Sequence, residues 1–420
     1  MAIHRHEPID EKQMNTIGPD NTICETLRKA YRSIKAVEDD HNKNGYACED
    51  LKDAMFGLRI ATSMAKAMTA KLEDYKRNWR RGFWDENPLY LTKVRRKAPI
   101  DVLLISWDDN SNTMYRFWQC ARYLGLNSVM VKGKQHPFYP FQAPLHPSLY
   151  GPPISYSPIM VPASGLESLI NNSHIIHLGA STYPMCAVNW ANRHVVVQHG
   201  GTVYRQNPGM ANDIFNKIAK KTIIQCPDLL GLGADNENWI YYPVDTVKIQ
   251  PDYSPKGDRP VIGHFPSNAN VKGTELIENI LNSLKADGFK FDYIGSTEII
   301  PWAQNLERMA KCDIIIESLS PMQGDKVYGE WGNTALEASA LGCVVVSQCA
   351  HHDLYKKEFG INPGFIVANS KLDLEASLTE LLQMDDLTPL KKQCRKWAED
   401  NHSIPVTANR LWDLVYKDFF

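Results

Sequence analysis

From residue 100 onward the chain alternates short, unbroken runs of branched apolar residues with amphipathic segments. Ile100-Asp101-Val102-Leu103-Leu104-Ile105-Ser106 is the first run. Val129-Met130-Val131, Ile175-Ile176-His177-Leu178 and His194-Val195-Val196-Val197-Gln198 follow. A strand that is apolar on both faces must be covered on both faces. Helices between such strands supply the cover, so the pattern predicts an α/β fold with parallel sheets. Residues 112–124 read as one such helix. The Pro-rich segment 137–162 is a long loop of the kind that often serves binding. A second unit begins near residue 258. It reads as a strand at Pro260-Val261-Ile262-Gly263-His264, a helix over 274–286 and a strand at Phe291-Asp292-Tyr293-Ile294. A helix over 300–310, a strand over 313–317, a helix over 333–341 and a strand at Val344-Val345-Val346-Ser347 complete it. Pro251-Asp252-Tyr253-Ser254-Pro255-Lys256-Gly257 lies between the halves as a linker. Two doubly wound domains are therefore expected, at 99–250 and 258–404. Residues 405–420 would form a last helix crossing back to the first.

Composition narrows the class. The 420 residues carry a net charge of −2, so bulk charge does not suit the chain to coat nucleic acid. With 43% hydrophobic and 10% aromatic residues the chain is globular. No apolar run approaches 18 residues, so no membrane-spanning helix is expected. The first 20 residues are polar and charged, which does not suit a cleaved signal peptide. The nine cysteines are scattered and form no C-x-x-C. They read as reduced thiols, mostly small core residues, in a cytoplasmic protein. No zinc spacing is present, and His351-His352 alone is a weak signal.

Residues 1–98 have a different texture. Asn21 or Thr22 can cap a helix that carries Ile23, Leu27, Ala30, Tyr31 and Ile34. Leu51, Met55, Leu58, Ala61, Ala65 and Leu72 mark a second helix. The pair reads as a hairpin that packs on the body or joins copies into a homo-oligomer. The connector 76–97 holds eight basic residues, among them Arg80, Arg81, Arg95 and Arg96, against Asp85 and Glu86 alone. Trp79, Phe83 and Trp84 are interleaved. Such a stretch suits phosphates of lipid or nucleic acid. It suits equally a solvated connector whose aromatics anchor it.

The strongest motif is YGEWGNTALEASALGCVVVS, residues 328–347. A Gly-rich loop opens a helix that leads to a buried strand. Gly329 and Gly332 permit close backbone approach. The N–H groups around Asn333 and Thr334 stand at a helix N-terminus, which favours an anion. Glu337 lies one turn in, where a carboxylate can accept two ribose hydroxyls. The plainer reading is a tight turn at Gly332 and a solvated Glu337. Taken whole, the segment resembles the signature of GT-B glycosyltransferases, in particular the large retaining family that uses nucleotide-sugars. Such proteins have two Rossmann-like domains. The second Glu of that family's Glu-x7-Glu falls on Glu337. The first falls on Gly329, with Glu330 next to it; some polysaccharide-forming members also carry Gly there.

Two further segments share the resemblance. GHFPSNANVKGTELI (263–277) matches the loop after the first strand of the family's C-terminal domain, with its Lys-Gly on Lys272-Gly273. Ala269 or Asn270 stands where the family has Arg. His264 reads as a further contact or as a buried strand-end His bonded to backbone. HVVVQHGGTVYRQNPG (194–209) places His199 at the carboxyl edge of a sheet, where ligands of open α/β sheets bind. Arg205 is a lesser candidate for phosphate or acceptor. Residues 240–245 match the Pro-Val-Asp stretch that closes the family's first domain. The first-strand loop has none of the glycines common in the family. Asp108 or Asp109 could position an acceptor hydroxyl, while Asn110 or Ser111 could cap a helix.

The resemblance implies a glycosyltransferase with His199, Lys272 and Glu330 as catalytic residues. Lys272, Gly273, Gly329, Gly332, Asn333, Thr334 and Glu337 would bind a UDP-, GDP- or ADP-sugar. The nucleobase is expected beside Gly295-Ser296 or the 317–325 loop. The chain has no Asp-x-Asp, so no metal ligand and no required cofactor are expected. The acceptor is expected to be a surface glycan or lipid-linked sugar, with 76–97 in peripheral contact with a membrane. A phage-type DNA glycosyltransferase acting on a hydroxymethylated base is the alternative, with 76–97 on the DNA. A non-catalytic GT-B-like assembly module is the second alternative.

Overall fold

The structure, a computed structural model, describes residues 98–107, 109–133, 159–162, 166–179, 182–185, 188–319 and 330–420, with Arg32 and Ala36 besides. The chain divides into two units, Met1–Lys93 and Val94–Phe420, and the account below concerns the second. The expectations for the hairpin 21–75, the connector 76–97, Asp108, Gly329 and most of the loops 137–162 and 317–325 lie outside the described residues.

The first half runs β1 (Ile100–Ser106), α1 (Thr113–Tyr123), β2 (Ser128–Lys132), β3 (Ile159–Pro162), α2 (Glu167–Asn171), β4 (Ser173–Leu178) and β5 (Thr182–Met185). It continues with β6 (His194–His199), α3 (Gly201–Gln206), α4 (Pro208–Phe215), β7 (Ala219–Ile224) and β8 (Glu237–Trp239). Its main sheet has the order β2-β1-β4-β6-β7-β8, and β3 pairs with β5 alone. Every one of these pairings is parallel. All seven residues of β1 are buried, as an unbroken apolar run requires. On one face, Val102, Leu104, Ile175 and Val196 meet Met114, Phe117 and Ala121 of α1.

The second half runs β9 (Val261–His264), α5 (Ala269–Lys272), α6 (Thr274–Ala286), β10 (Asp292–Gly295), α7 (Trp302–Met309), β11 (Ile314–Ile316) and α8 (Asn333–Ala340). Then come β12 (Val344–Ser347), α9 (His352–Phe359), β13 (Ile366–Val367), α10 (Lys371–Gln383), α11 (Thr388–His402) and α12 (Ile404–Leu411). The sheet order is β10-β9-β11-β12-β13, again all parallel. Ile262, Ile314, Ile316, Val344 and Val346 pack on Ile277, Ile280, Leu281 and Leu284 of α6. Burying side chains of this size contributes about 1.5–3 kcal/mol each.

The chain ends in the first core. Ala408, Leu411, Val415, Tyr416 and Phe419 pack with Val102, Phe117 and Val196, and the Tyr416 hydroxyl meets His177 Nδ1 at 2.7 Å. Arg395 of α11 ties the junction between the halves. Its guanidinium donates to the carbonyls of Ile249 (2.7 Å), Thr246 (2.7 Å) and Ala340 (2.5 Å). Tyr241 stacks on Trp331 at 3.9 Å and donates to the Trp331 carbonyl at 3.2 Å.

Candidate functional site

Lys272 ends α5, the single turn after β9. Gly273 follows with φ 68, a left-handed conformation that Gly adopts without strain, and the chain then turns into α6. This sharp corner leaves Lys272 beside the end of β11. Its ammonium donates to Glu317 Oε1. Glu317 Oε2 accepts from Ser318 Oγ (2.7 Å) and Ser347 Oγ (2.9 Å). Burial alone would raise the Glu317 carboxyl. The Lys272 charge and these hydrogen bonds outweigh it and hold the group below the usual range. Glu317 is therefore a fixed anion that orients Lys272. An ammonium has three donors, so Lys272 can hold Glu317 and still reach a ligand oxygen.

The α8 N-terminus opens at the same corner. Gly332 is its N-cap and supplies no side-chain cap, and a Cβ there would stand 3.7 Å from Glu317 Oε1. The fold thus brings Lys272, Gly273, Gly332, Asn333 and Thr334 together. The Asn333 side chain faces elsewhere: Nδ2 donates to the Ser111 carbonyl at 2.6 Å, and Oδ1 accepts from Arg116 at 3.1 Å. Glu337 is buried, and its Oε1 accepts from Arg116 and from Trp302 Nε1 (2.8 Å). The Glu337 carboxylate, expected at a ribose, thus has its Oε1 on Arg116 and Trp302, at the junction of the two halves.

Glu330 is also placed differently from the expectation. Its side chain is fully buried, and Oε1 accepts from the His351 backbone N–H (3.1 Å) and pairs with His351 Nδ1 (2.7 Å). The group it presents to solvent is the His351 ring, 37% exposed, in the turn between β12 and α9.

On the first half, His199 ends β6 as expected but is sealed from solvent. Its ring stacks on Tyr204 at 4.1 Å and meets the Phe215 edge at 5.4 Å. Burial pushes its pKa down to about 3, so the ring is neutral. Tyr204 and Phe215 pack on the ring that was expected at the sugar. Arg205 is held by both oxygens of Asp228. His264 is a buried strand-end residue, with Nδ1 on the Ile316 carbonyl (2.8 Å) and Nε2 on Thr274 Oγ1 (3.0 Å). Asp109, rather than Asn110 or Ser111, caps α1: its carboxylate accepts from the N–H groups of Met114 (2.6 Å) and Tyr115 (3.1 Å).

A cavity of about 380 Å³ adjoins the Lys272 corner on the β9–β10 side, lined by His264, Thr274, Glu278, Tyr293, Gly295 and Ser296. Gly295-Ser296 is one of the two positions expected for a base. Among the described residues, no three His, Cys, Asp or Glu side chains are grouped to hold a metal ion. No described helix is long and apolar enough to cross a membrane. The six described cysteines are buried and unbridged, and burial pushes Cys226 and Cys394 up to about 11.

No protein-family profile and no curated protein matches the chain. Solved structures do. An α-glucosyltransferase bound to UDP aligns over 75% of this chain and 99% of its own, at 12% identity and a TM-score of 0.52. HepE of Anabaena bound to UDP aligns over 76% and 100%, at 12% identity and a TM-score of 0.49. The fold is GT-B.

The Lys272–Glu317 corner lies at the carboxyl ends of β9 and β11, two inner strands of the second sheet. Sequence reasoning did not single out Glu317 or Arg116. Glu317 carried a signal: it directly follows the buried run Ile314-Ile315-Ile316, at the ligand-binding end of a strand. Arg116 carried none, because its partners lie more than 100 residues away.

Proposed function

We propose that this GT-B protein is a glycosyltransferase that moves a sugar from a UDP-, GDP- or ADP-sugar to an acceptor hydroxyl. The observation that carries the reading is the Lys272–Glu317 pair at the mouth of α8, beside the cavity at Gly295-Ser296. The donor would lie on the half spanning 258–404 and the acceptor on 99–250. Lys272 and the first N–H groups of α8 would meet the diphosphate, and the nucleoside would enter the cavity. Catalysis would rest on positioning and on stabilising charge that develops on the leaving diphosphate. Glu317 serves by holding the Lys272 ammonium in place. Lys272 and the helix N-terminus supply positive charge without a metal, so activity is expected to survive EDTA. The likeness of 328–347 to the retaining family supports retention, which NMR of the product anomer tests.

For the acceptor we favour a surface glycan or lipid-linked sugar, as in polysaccharide biosynthesis. The basic-aromatic composition of 76–97 supports an anionic acceptor or surface. DNA is the second reading on the same residues. The test is nucleotide release and sugar transfer from each donor, with liposomes, glycans and hydroxymethylated DNA as acceptors. Activity that rises with anionic liposomes supports the first reading. Transfer to DNA that falls steeply with salt supports the second. Donor binding without hydrolysis or transfer would instead support an assembly module.

A further inference from the structure

The sheet order lays the donor site out in a line. β10 and β9 carry the cavity at Gly295-Ser296, and β9 and β11 lead to Lys272 and Glu317. β12 comes next, and the turn at its carboxyl end carries His351. A nucleotide-sugar is linear in the same sense: base and ribose, then diphosphate, then sugar. With the nucleoside on the β10 side and the diphosphate at β11, the sugar falls on the β12 side.

The Glu330 side chain is fully buried. Its Oε1 fixes both the backbone and the ring of His351. Nδ1 is engaged, so Nε2 is the ring atom left to meet a ligand. The surroundings of the ring are charged. Glu330 lies behind it. Asp228, on the Pro227–Leu229 turn of the first half, bears on it electrostatically and is itself paired with Arg205. His352 and Asp353 open α9 and pair with each other at 3.2 Å. Cys349, in the same turn, is buried with its thiol protonated. His351, on the second half, is thus within electrostatic reach of Asp228 on the first.

Resting on the donor-site reading above, we propose that His351 binds a hydroxyl of the transferred sugar through Nε2, and that Glu330 is its positioning residue. The hydrogen bond to Glu330, with the nearby Glu330 and Asp228 charges, raises the His351 pKa against the effect of burial. The ring can thus donate from Nε2 over a wider pH range than a free histidine.

The test measures the affinity of UDP, GDP and ADP and of their glucose conjugates for wild type, His351→Ala and Glu330→Gln. His351 is partly exposed, so its truncation leaves the core intact, which circular dichroism checks. The expected result for His351→Ala is an unchanged affinity for the bare nucleotide and an affinity about tenfold weaker for its sugar conjugate, the scale of one lost hydrogen bond. Glu330→Gln keeps the shape and an acceptor for Nδ1, so it should weaken the conjugate less. Equal losses for nucleotide and conjugate, or no loss for either, would overturn the proposal while leaving the donor site standing. Failure of wild type to bind any nucleotide would overturn the donor-site reading itself, and this inference with it.

Discussion

Arg116 of α1 holds the carboxylate of Glu337 on α8, so a buried ion pair joins the two halves through the helix that opens beside Lys272 and Glu317. The side chains are 5% and 3% exposed, and Arg116 also donates to the Pro243 carbonyl at 2.7 Å. Removing one member leaves the other charged and unmatched. Arg116→Met is expected to destabilise the protein by about 3–5 kcal/mol, and Arg116→Met with Glu337→Leu by clearly less. Urea unfolding of both variants measures this. A single variant as stable as wild type would show that the pair does not hold the halves together.

Lys272 and Glu317 give a pH signature. The folded Glu317 value is depressed, so its contribution is complete above the unfolded value of about 4.3 and is lost as pH falls through the folded value. In Lys272→Met burial prevails and raises the group, leaving a buried charge at neutral pH. The stability deficit of Lys272→Met should be largest near pH 7 and shrink as pH falls towards 4. Thermal unfolding across that range decides it, and a deficit independent of pH would contradict the pairing.

His177, His199 and His402 are buried, and burial pushes each down to about 3. As pH falls from about 6.5 towards 3, only the unfolded chain takes up these protons. Stability is therefore complete above about 6.5 and lost below it. His199→Phe keeps a ring beside Tyr204 and removes one titrating group. It should flatten the acid slope by about 1.4 kcal/mol per pH unit. It should also leave nucleotide affinity unchanged, since the ring is sealed. Loss of nucleotide binding in a folded His199→Phe would restore a direct contact for His199.

The loop after β1 holds Asp109, Ser111 and Asn112 at positive φ without a glycine. Asp and Asn tolerate this conformation, and Ser does so less readily. Ser111→Gly should add up to about 1 kcal/mol, while Asp109→Ala should lose about 1–2 kcal/mol with the α1 cap. Equilibrium unfolding of the two variants checks both signs.

Much of the fold was legible because burial on both faces leaves unbroken apolar runs. β1, β6 and β12 read directly, and α6 was expected at its observed bounds. β7 was not read, because Lys220-Lys221 interrupts Ala219–Ile224; Lys221 is satisfied by Asp418 at 2.7 Å. The two-stranded pairing of β3 with β5 left no periodic signal. Lys272 and the α8 N-terminus, expected near each other from local loop chemistry, both lie beside Glu317. Glu330, Glu337 and His199, expected at ligand contacts, also have tertiary partners: His351, Arg116 and Tyr204. Spacing along the chain cannot reveal such partners.

The central claim is a diphosphate site built on an oriented Lys272. Titration calorimetry of UDP, GDP and ADP into wild type, Lys272→Met and Lys272→Met with Glu317→Gln tests it most directly. The double variant removes the cation without leaving Glu317 as an unmatched charge. The account predicts that wild type binds one nucleotide and that both variants lose at least about tenfold in affinity, the double variant with stability restored. Wild-type affinity retained in the folded double variant would contradict the claim.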